Sequence, residues 1–411
     1  MLIEHLQQQL QAIAARDQTR VRRVAHTPTA PRQVLSGPDG VPREQVMFCS
    51  NDYLGLASHP SLVDALTEGA QRWAGGAGAS HLISGHTGAH EQLEHTLAQW
   101  FAPHIPQARC LSFCTGYMAN LAVTATLGDA DAELFSDALN HASLIDGMRL
   151  AKAPVQRYAH TDMAALRKQL MASQARLKFI VSDTVFSMDG DIAPIPELLK
   201  LAEEFDAWLI LDDAHGFGVL GERGRGVLEQ FDLCSERFIL LGTLGKAAGL
   251  SGAFVVAHAC IVDYLLQAAR SYIFTTASLP AVSHALLQSL ALIEGETGQQ
   301  RRAHLHTLQV LLREGMAAML SRHPHLGWTL CASNTPIQPL VVGSNATVMA
   351  LAAELERAGL RVPGIRPPTV PLGQARLRIT LCATHTADDV RLLLQTLEGA
   401  IQAMPAMETS P

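Results

Sequence analysis

The sequence predicts an α/β protein: a mostly parallel central sheet with helices on both faces, followed by a smaller αβ region. Three observations carry that prediction. Short apolar runs alternate with helical stretches through the middle of the chain. The texture changes after about Leu290. With 411 residues, 48% of them hydrophobic, the chain can bury more than one core.

The elements follow in order. Residues 1 to about 24 place leucine, isoleucine and alanine at helical spacing and end in basic residues suited to a helix C-terminus. The connector Thr27-Pro28-Thr29-Ala30-Pro31 then breaks the pattern. Strands are expected at Ala108–Cys114, Glu133–Ser136, Lys178–Ser182, Trp208–Asp212, Phe238–Leu241 and Ala253–Ala257. Helices such as Gly116–Leu127 and Ile195–Phe205 separate them. Beyond Leu290 a long helical stretch reaches roughly Leu320. Strand-like Gln338–Val342, a helix over Ala346–Ala358, strand-like Leu377–Cys382 and a last helix over Ala387–Ala400 follow. The tail Met404–Pro411 is expected to be loose.

Composition narrows the function. The chain carries 31 basic and 38 acidic residues. That mildly acidic balance argues against a nucleic-acid footprint, and Arg20-Val21-Arg22-Arg23 is too short to overturn it. No apolar run approaches a membrane span, and Met1–Leu6 lacks the core of a signal peptide, so a cytoplasmic protein is expected. Seven cysteines, odd in number and mostly within apolar runs, read as buried free thiols. Cys110 and Cys114 have no matching pair nearby, so no metal site is expected.

The chemistry lies at the strand ends. Lys246, in Thr243-Leu244-Gly245-Lys246, directly follows Phe238-Ile239-Leu240-Leu241. Asp212-Asp213-Ala214-His215-Gly216 directly follows Trp208-Leu209-Ile210-Leu211. Residues at the carboxyl ends of strands face the ligand crevice of an open α/β sheet. A lysine and an Asp-x-x-His so placed suit a pyridoxal phosphate (PLP) enzyme. The amine bonds the cofactor's aldehyde and the carboxylate pairs with its ring nitrogen. Alone, the lysine reads as a surface residue and the aspartate as a turn cap. Side chains alternate along a strand, so only one of Asp212 and Asp213 should face the cofactor.

Lesser signals support this reading. Gly116, after one strand and at the start of a helix, suits a phosphate-binding helix N-terminus, while Tyr117 reads either as ordinary core or as an aromatic near a planar cofactor. Thr243 is placed to donate a hydroxyl to the same phosphate. His141 sits at a strand-to-helix turn, where histidine is more often structural, and becomes a ring-stacking candidate only with the other pieces. The run Trp73-Ala74-Gly75-Gly76-Ala77-Gly78-Ala79-Ser80 follows no strand, so it reads as a close-approach loop rather than a dinucleotide fingerprint.

With these residues in place, the chain resembles the α-oxoamine synthases, a branch of the fold-type I PLP enzymes, from about residue 15 to 400. The resemblance rests on Ser50-Asn51-Asp52-Tyr53-Leu54-Gly55-Leu56, Val185-Phe186-Ser187-Met188-Asp189-Gly190-Asp191, Asp212–Gly216, Thr243–Lys246 and Ile365-Arg366-Pro367-Pro368-Thr369-Val370-Pro371. It implies an N-terminal helix and connector over 1–45, a large PLP-binding domain over 46–290 and a smaller αβ domain over 291–411. It also implies roles. Lys246 would carry PLP and move a proton, Asp212 would face the ring nitrogen, and His141 would stack on the ring. Ser187 and His215 would hold the phenolic oxygen side. Gly116, Tyr117 and Thr243 would surround the phosphate, while Thr275 and Thr276 would reach a neighbouring subunit's phosphate in a homodimer. Arg378 would grip an amino acid carboxylate, with Arg22, Asn51, His141 and Thr369 as further substrate contacts. The chain departs at His81, where several relatives carry arginine, and no role is assigned there.

The last of those runs, with Gly190-Asp191, is most similar to the branch acting in biotin biosynthesis. That branch implies a PLP-dependent acyltransferase condensing L-alanine with pimeloyl-CoA or a pimeloyl-acyl carrier protein. A glycine-using acyltransferase of the same family, a plain aminotransferase and a non-catalytic partner subunit are the alternatives.

Overall fold

The structure, a computed structural model, describes residues 1–16, 18–37 and 39–403. The tail expected to be loose, 404–411, lies outside them. Contacts divide the chain into two units, one of residues 1–50 with 306–411 and one of residues 51–305. The helix Glu296–Arg322 carries the chain from one unit into the other.

The apolar runs form the heart of the 51–305 unit. Its seven-stranded sheet has the order Ala108–Phe113, Ala253–His258, Phe238–Thr243, Ala207–Asp212, Leu177–Asp183, Ala132–Asp137, Val155–Tyr158. Ala253–His258 runs antiparallel to both its neighbours, and the other pairings are parallel. Phe238, Ile239, Leu240 and Leu241 are all buried, as expected for strands covered on both faces. Ala119, Val123, Leu144, Met148 and Leu265 bring three helices into the same core as Leu134, Val181, Ile210 and Val255. The six expected strands are present, each within a residue or two of its predicted span. Val155–Tyr158 was not expected. It is an edge strand with three of its four residues exposed, so it carries no apolar run to read.

The other unit holds two small sheets. In one, Arg32–Ser36 pairs with Pro42–Met47, which pairs in parallel with Leu360–Arg361. In the other, Ile337–Gly343 and Ala375–Thr380 form the central antiparallel pair, flanked by Thr329–Leu330 and Gly364–Ile365. The helices Asn345–Arg357 and Ala387–Ala403 belong to this unit. His385 stacks on Phe48 with ring centroids 4.5 Å apart, and Arg32 bonds Asp389 at 2.5 Å. These contacts tie the N-terminal segment to the C-terminal one.

Two expectations need correction. The first helix ends at Ala15 rather than near residue 24. Beyond it, β-branched Thr19, Val21 and Val24 favour extended backbone, and Ala25 bridges Leu35. The basic cluster therefore lies on extended chain, with Arg23 paired to Glu356 at 3.3 Å. The cysteines are free thiols, but Cys234 and Cys260 are exposed. Cys260 lies in the first turn of a helix capped by His258, where the sequence neighbourhood is apolar but the position faces out.

Candidate functional site

Twelve residues line one cavity of about 190 Å³ in the 51–305 unit: Gly116, Tyr117, Asn120, His141, Ser143, Asp183, Ser187, Asp212, Ala214, His215, Thr243 and Lys246. They come from the carboxyl ends of the parallel strands and the helix starts that follow, where an open α/β sheet offers a ligand crevice. Eight of the residues singled out from sequence meet here.

Lys246 Nζ lies 2.8 Å from His215 Nε2. The other ring nitrogen of His215, Nδ1, is 2.5 Å from the Tyr53 hydroxyl, which also donates to Asn51 Oδ1 at 3.2 Å. A chain of polar side chains thus runs from Asn51 through Tyr53 and His215 to the lysine amine. Asp212 presents its carboxylate beside them. Its Oδ2 accepts from Asn120 Nδ2 at 2.6 Å and its Oδ1 from the Ala214 backbone N–H at 3.0 Å.

The alternation argument holds at Asp212 and Asp213. Asp213 lines no part of the cavity; it accepts from Thr184 Oγ1 at 2.5 Å and from the Val227 N–H at 3.0 Å. Burial pushes its pKa up to about 7, against the lowering effect of those bonds. Gly226 fits against it only because it lacks a side chain, since a Cβ there would stand 1.8 Å from Asp213 Oδ2. Asp183, paired with Asp212 across neighbouring strands, is pushed well above the carboxylate range by burial and by the Asp212 charge.

His141 caps the helix Ala142–Leu150. Its Nδ1 lies 2.6 Å from Ser143 Oγ, and its backbone N–H donates to Asp183 Oδ2 at 2.7 Å. Desolvation lowers its pKa, Asp212 opposes that, and Lys246 adds to it. The residue is both a cap and a cavity wall, so its structural and functional readings coexist. Gly116 opens the helix Gly116–Leu127, capped by Thr115, and lies beside Thr243 Oγ1. Those first-turn amides point toward the cavity end of the helix and suit an anion.

Other predicted residues lie elsewhere. Thr275 is half-buried and Thr276 exposed, and neither lines the cavity. Asn51 lines no part of the cavity and is bonded to Tyr53. Arg22, Thr369 and Arg378 belong to the other unit. There Arg22 and Thr369 are exposed, while Arg378 is buried in Ala375–Thr380 and donates to Thr380 Oγ1 at 3.1 Å.

Sequence reading assigned no role to Asn120, Ser143, Asp183 or Tyr53. Asn120 could have been found, since it lies one turn after Gly116 and so on the same helix face. Tyr53 could not, because only the fold brings it to His215. The donor set fits PLP. An amine and a carboxylate share one enclosure, a helix start lies beside them, and Asn120 Oδ1 is buried without a partner.

The family model for class I and II aminotransferases matches residues 43–397. An 8-amino-7-oxononanoate synthase of Leptothrix cholodnii is 60% identical over 97% of this chain and 98% of its own. Among solved structures, SPT with PLP superposes with a TM-score of 0.87, at 27% identity over 97% of both chains. The 8-amino-7-oxononanoate synthase of Francisella tularensis gives 0.74 at 30% identity, over 87% of this chain and 98% of that one. Site geometry and similarity along nearly the whole chain agree, and the chain belongs to the 8-amino-7-oxononanoate synthase family, within the class I and II aminotransferases and their PLP-dependent fold type I.

Proposed function

We propose that the protein joins L-alanine to a pimeloyl thioester, giving 8-amino-7-oxononanoate, CO2 and a free thiol in biotin biosynthesis. A carbon–carbon bond forms between alanine Cα and the thioester carbonyl carbon as the carbon–sulfur bond breaks. The Cα–carboxylate bond then breaks to release CO2, and a proton returns to Cα. The observation that carries this reading is the meeting of Lys246, His215 and Asp212 in one cavity, in a chain 60% identical to a named synthase.

PLP bound in that cavity supplies an electron sink for negative charge developing at Cα. The chain's residues divide the remaining work. Lys246 removes and returns the Cα proton, with His215 2.8 Å from its amine to fix its position. Asp212, oriented by Asn120, holds a proton on the cofactor's ring nitrogen. His141 covers the ring face, and Ser187 with His215 holds the phenolic oxygen. Gly116, Tyr117 and Thr243 take the phosphate. Arg378 grips the alanine carboxylate through its planar fork, helped by Asn51, Thr369 and Arg22.

The chain acts in this reading as a cytoplasmic homodimer, with Thr275 and Thr276 reaching the neighbouring subunit's phosphate. Their position on an accessible segment, outside their own chain's cavity, supports that. Among the described residues no helix is long and apolar enough to cross a membrane.

Lys246→Ala tests the chemistry. It should abolish turnover and remove the lysine-dependent visible absorbance of the bound cofactor; full activity would overturn the mechanism. Initial rates with alanine plus pimeloyl-CoA, alanine plus a pimeloyl carrier protein, and glycine plus acetyl-CoA identify the substrates. Faster turnover of glycine with acetyl-CoA would move the chain to the sister reaction.

A further inference from the structure

His81, left without a role by the sequence, is not alone. His81, His86 and His90 each place a ring nitrogen such that the three nitrogens lie within 4.8 Å of one another. All three come from one short stretch: His81 opens the turn His81–Gly85, His86 follows it, and His90 lies in the first turn of the helix Gly88–Phe101. Their rings are 4.9, 5.2 and 5.4 Å apart, and His81 also stacks on Tyr272 at 4.9 Å.

Hydrogen bonds decide which nitrogens are available. His86 Nε2 faces the Glu91 carboxylate at 3.1 Å, and His90 Nε2 faces the Ser278 carbonyl at 3.0 Å. Both acceptors require the proton on Nε2, which leaves Nδ1 of each ring an unprotonated acceptor, facing His81 Nδ1 in His86 and the Thr87 N–H in His90. His81 Nδ1 lies 3.0 Å from His86 Nδ1. His81 Nε2 is buried with no hydrogen-bond partner, and the ring is held by its stack on Tyr272. Imidazoles that donate their outer N–H to a carboxylate or backbone carbonyl and turn the other nitrogen inward have the arrangement of metal-ligating histidines.

We propose that His81, His86 and His90 bind a divalent transition-metal ion of the zinc class through their Nδ1 atoms. Three neutral imidazoles with water as fourth ligand satisfy the tetrahedral preference of such an ion. In the metal-free protein His81 Nδ1 donates to His86 Nδ1, so the ion takes that place as the His81 proton moves to Nε2. The ion displaces the Thr87 N–H and hydroxyl, which lie 3.0 Å from His90 Nδ1. Thr87 is only half-buried, so water can take its N–H. A second grouping, His86 with Glu91 and Glu94, shares one histidine. It is disfavoured because Glu94 Oε1 already accepts from Ser112 N and Oγ at 2.8 and 2.6 Å.

The site is remote in role from the PLP cavity, since none of its three histidines lines it. Its helix nonetheless holds Ser278, two residues beyond Thr276, through His90. Metal binding therefore fixes the segment assigned above to the neighbouring subunit, and that secondary consequence rests on the proposed function.

The test is equilibrium dialysis of the chelator-treated, PLP-loaded enzyme against Zn2+, with metal content measured per chain. Wild type should retain one tightly held ion, beyond the background of exposed thiols. His86→Phe and His81→Phe should both lose it, with far-ultraviolet circular dichroism and cofactor absorbance unchanged. Glu91→Gln should weaken binding by roughly 10- to 100-fold, as for an outer-shell carboxylate. Absence of the ion from wild type overturns the proposal, and so does retention by a folded His81→Phe, which would place any metal on Glu91 and Glu94.

Discussion

At the scale of single residues, two charged clusters govern what can be measured. Asp212 is oriented by Asn120 and the Ala214 N–H. Asp212→Asn keeps the shape but cannot stabilise a protonated ring nitrogen. Turnover should fall by about 10²- to 10³-fold, the range for removing a preorganised electrostatic partner, with PLP still bound. Stopped turnover together with loss of cofactor would assign Asp212 to cofactor retention instead. The second cluster is His160, between Asp137 at 3.1 Å and Asp191 at 2.9 Å. Burial opposes its charge, but the bonds and charges of the two carboxylates win and raise its pKa to about 10. The folded value lies above the ordinary 6.5. The stabilisation is therefore complete below about 6.5 and lost as pH rises through about 10. His160→Gln should cost about 1–3 kcal/mol at neutral pH. The gap between wild type and variant in urea unfolding should close as pH rises past that range; a gap independent of pH would mean the imidazole is neutral.

Among elements, the helices Gly116–Leu127 and Ala142–Leu150 set the position of the polar side chains at the carboxyl ends of the strands. They pack closely because Gly147 has no side chain. A Cβ there would stand 2.0 Å from Thr124 Oγ1 and 3.1 Å from the Asn120 carbonyl. Gly147→Ala must separate the helices, at about 1–3 kcal/mol for an overpacked contact. Because Asn120 holds both Ser143 and Asp212, the same change should lower kcat, measured on folded enzyme at saturating alanine. Loss of stability with kcat untouched would show that Asn120 does not position the carboxylate. Element by element, the sheet was legible because its strands are buried on both faces and read as unbroken apolar runs. The edge strand Val155–Tyr158 was hidden because three consecutive exposed residues leave no apolar run. The first helix was read too long because Val21 and Val24 continue the apolar spacing while their branched side chains favour extended chain.

For the whole molecule, the exposed apolar side chains of Ile83 and Phe274 are 80% and 70% accessible in a single chain. Phe274 directly precedes Thr275 and Thr276, which the proposed homodimer places against the neighbouring subunit. Phe274→Glu should shift sedimentation from dimer toward monomer and lower activity at low enzyme concentration, with partial recovery on concentrating. A variant that stays dimeric would move the interface elsewhere. At this scale the sequence and the structure divide the explanation. Apolar runs, glycine placement and the Lys246 and Asp212 motifs are local, and local patterns in a chain follow from side-chain chemistry and helical or strand period. They determined the α/β class, the strand ends and seven residues of the cavity, while Ser187 came from the family resemblance alone. Meetings between distant segments depend on how the sheet orders its strands, which no local pattern encodes. Tertiary structure alone brought Tyr53 to His215, gave Asp213 its partners Thr184 and Val227, and joined the N-terminal segment to the C-terminal one.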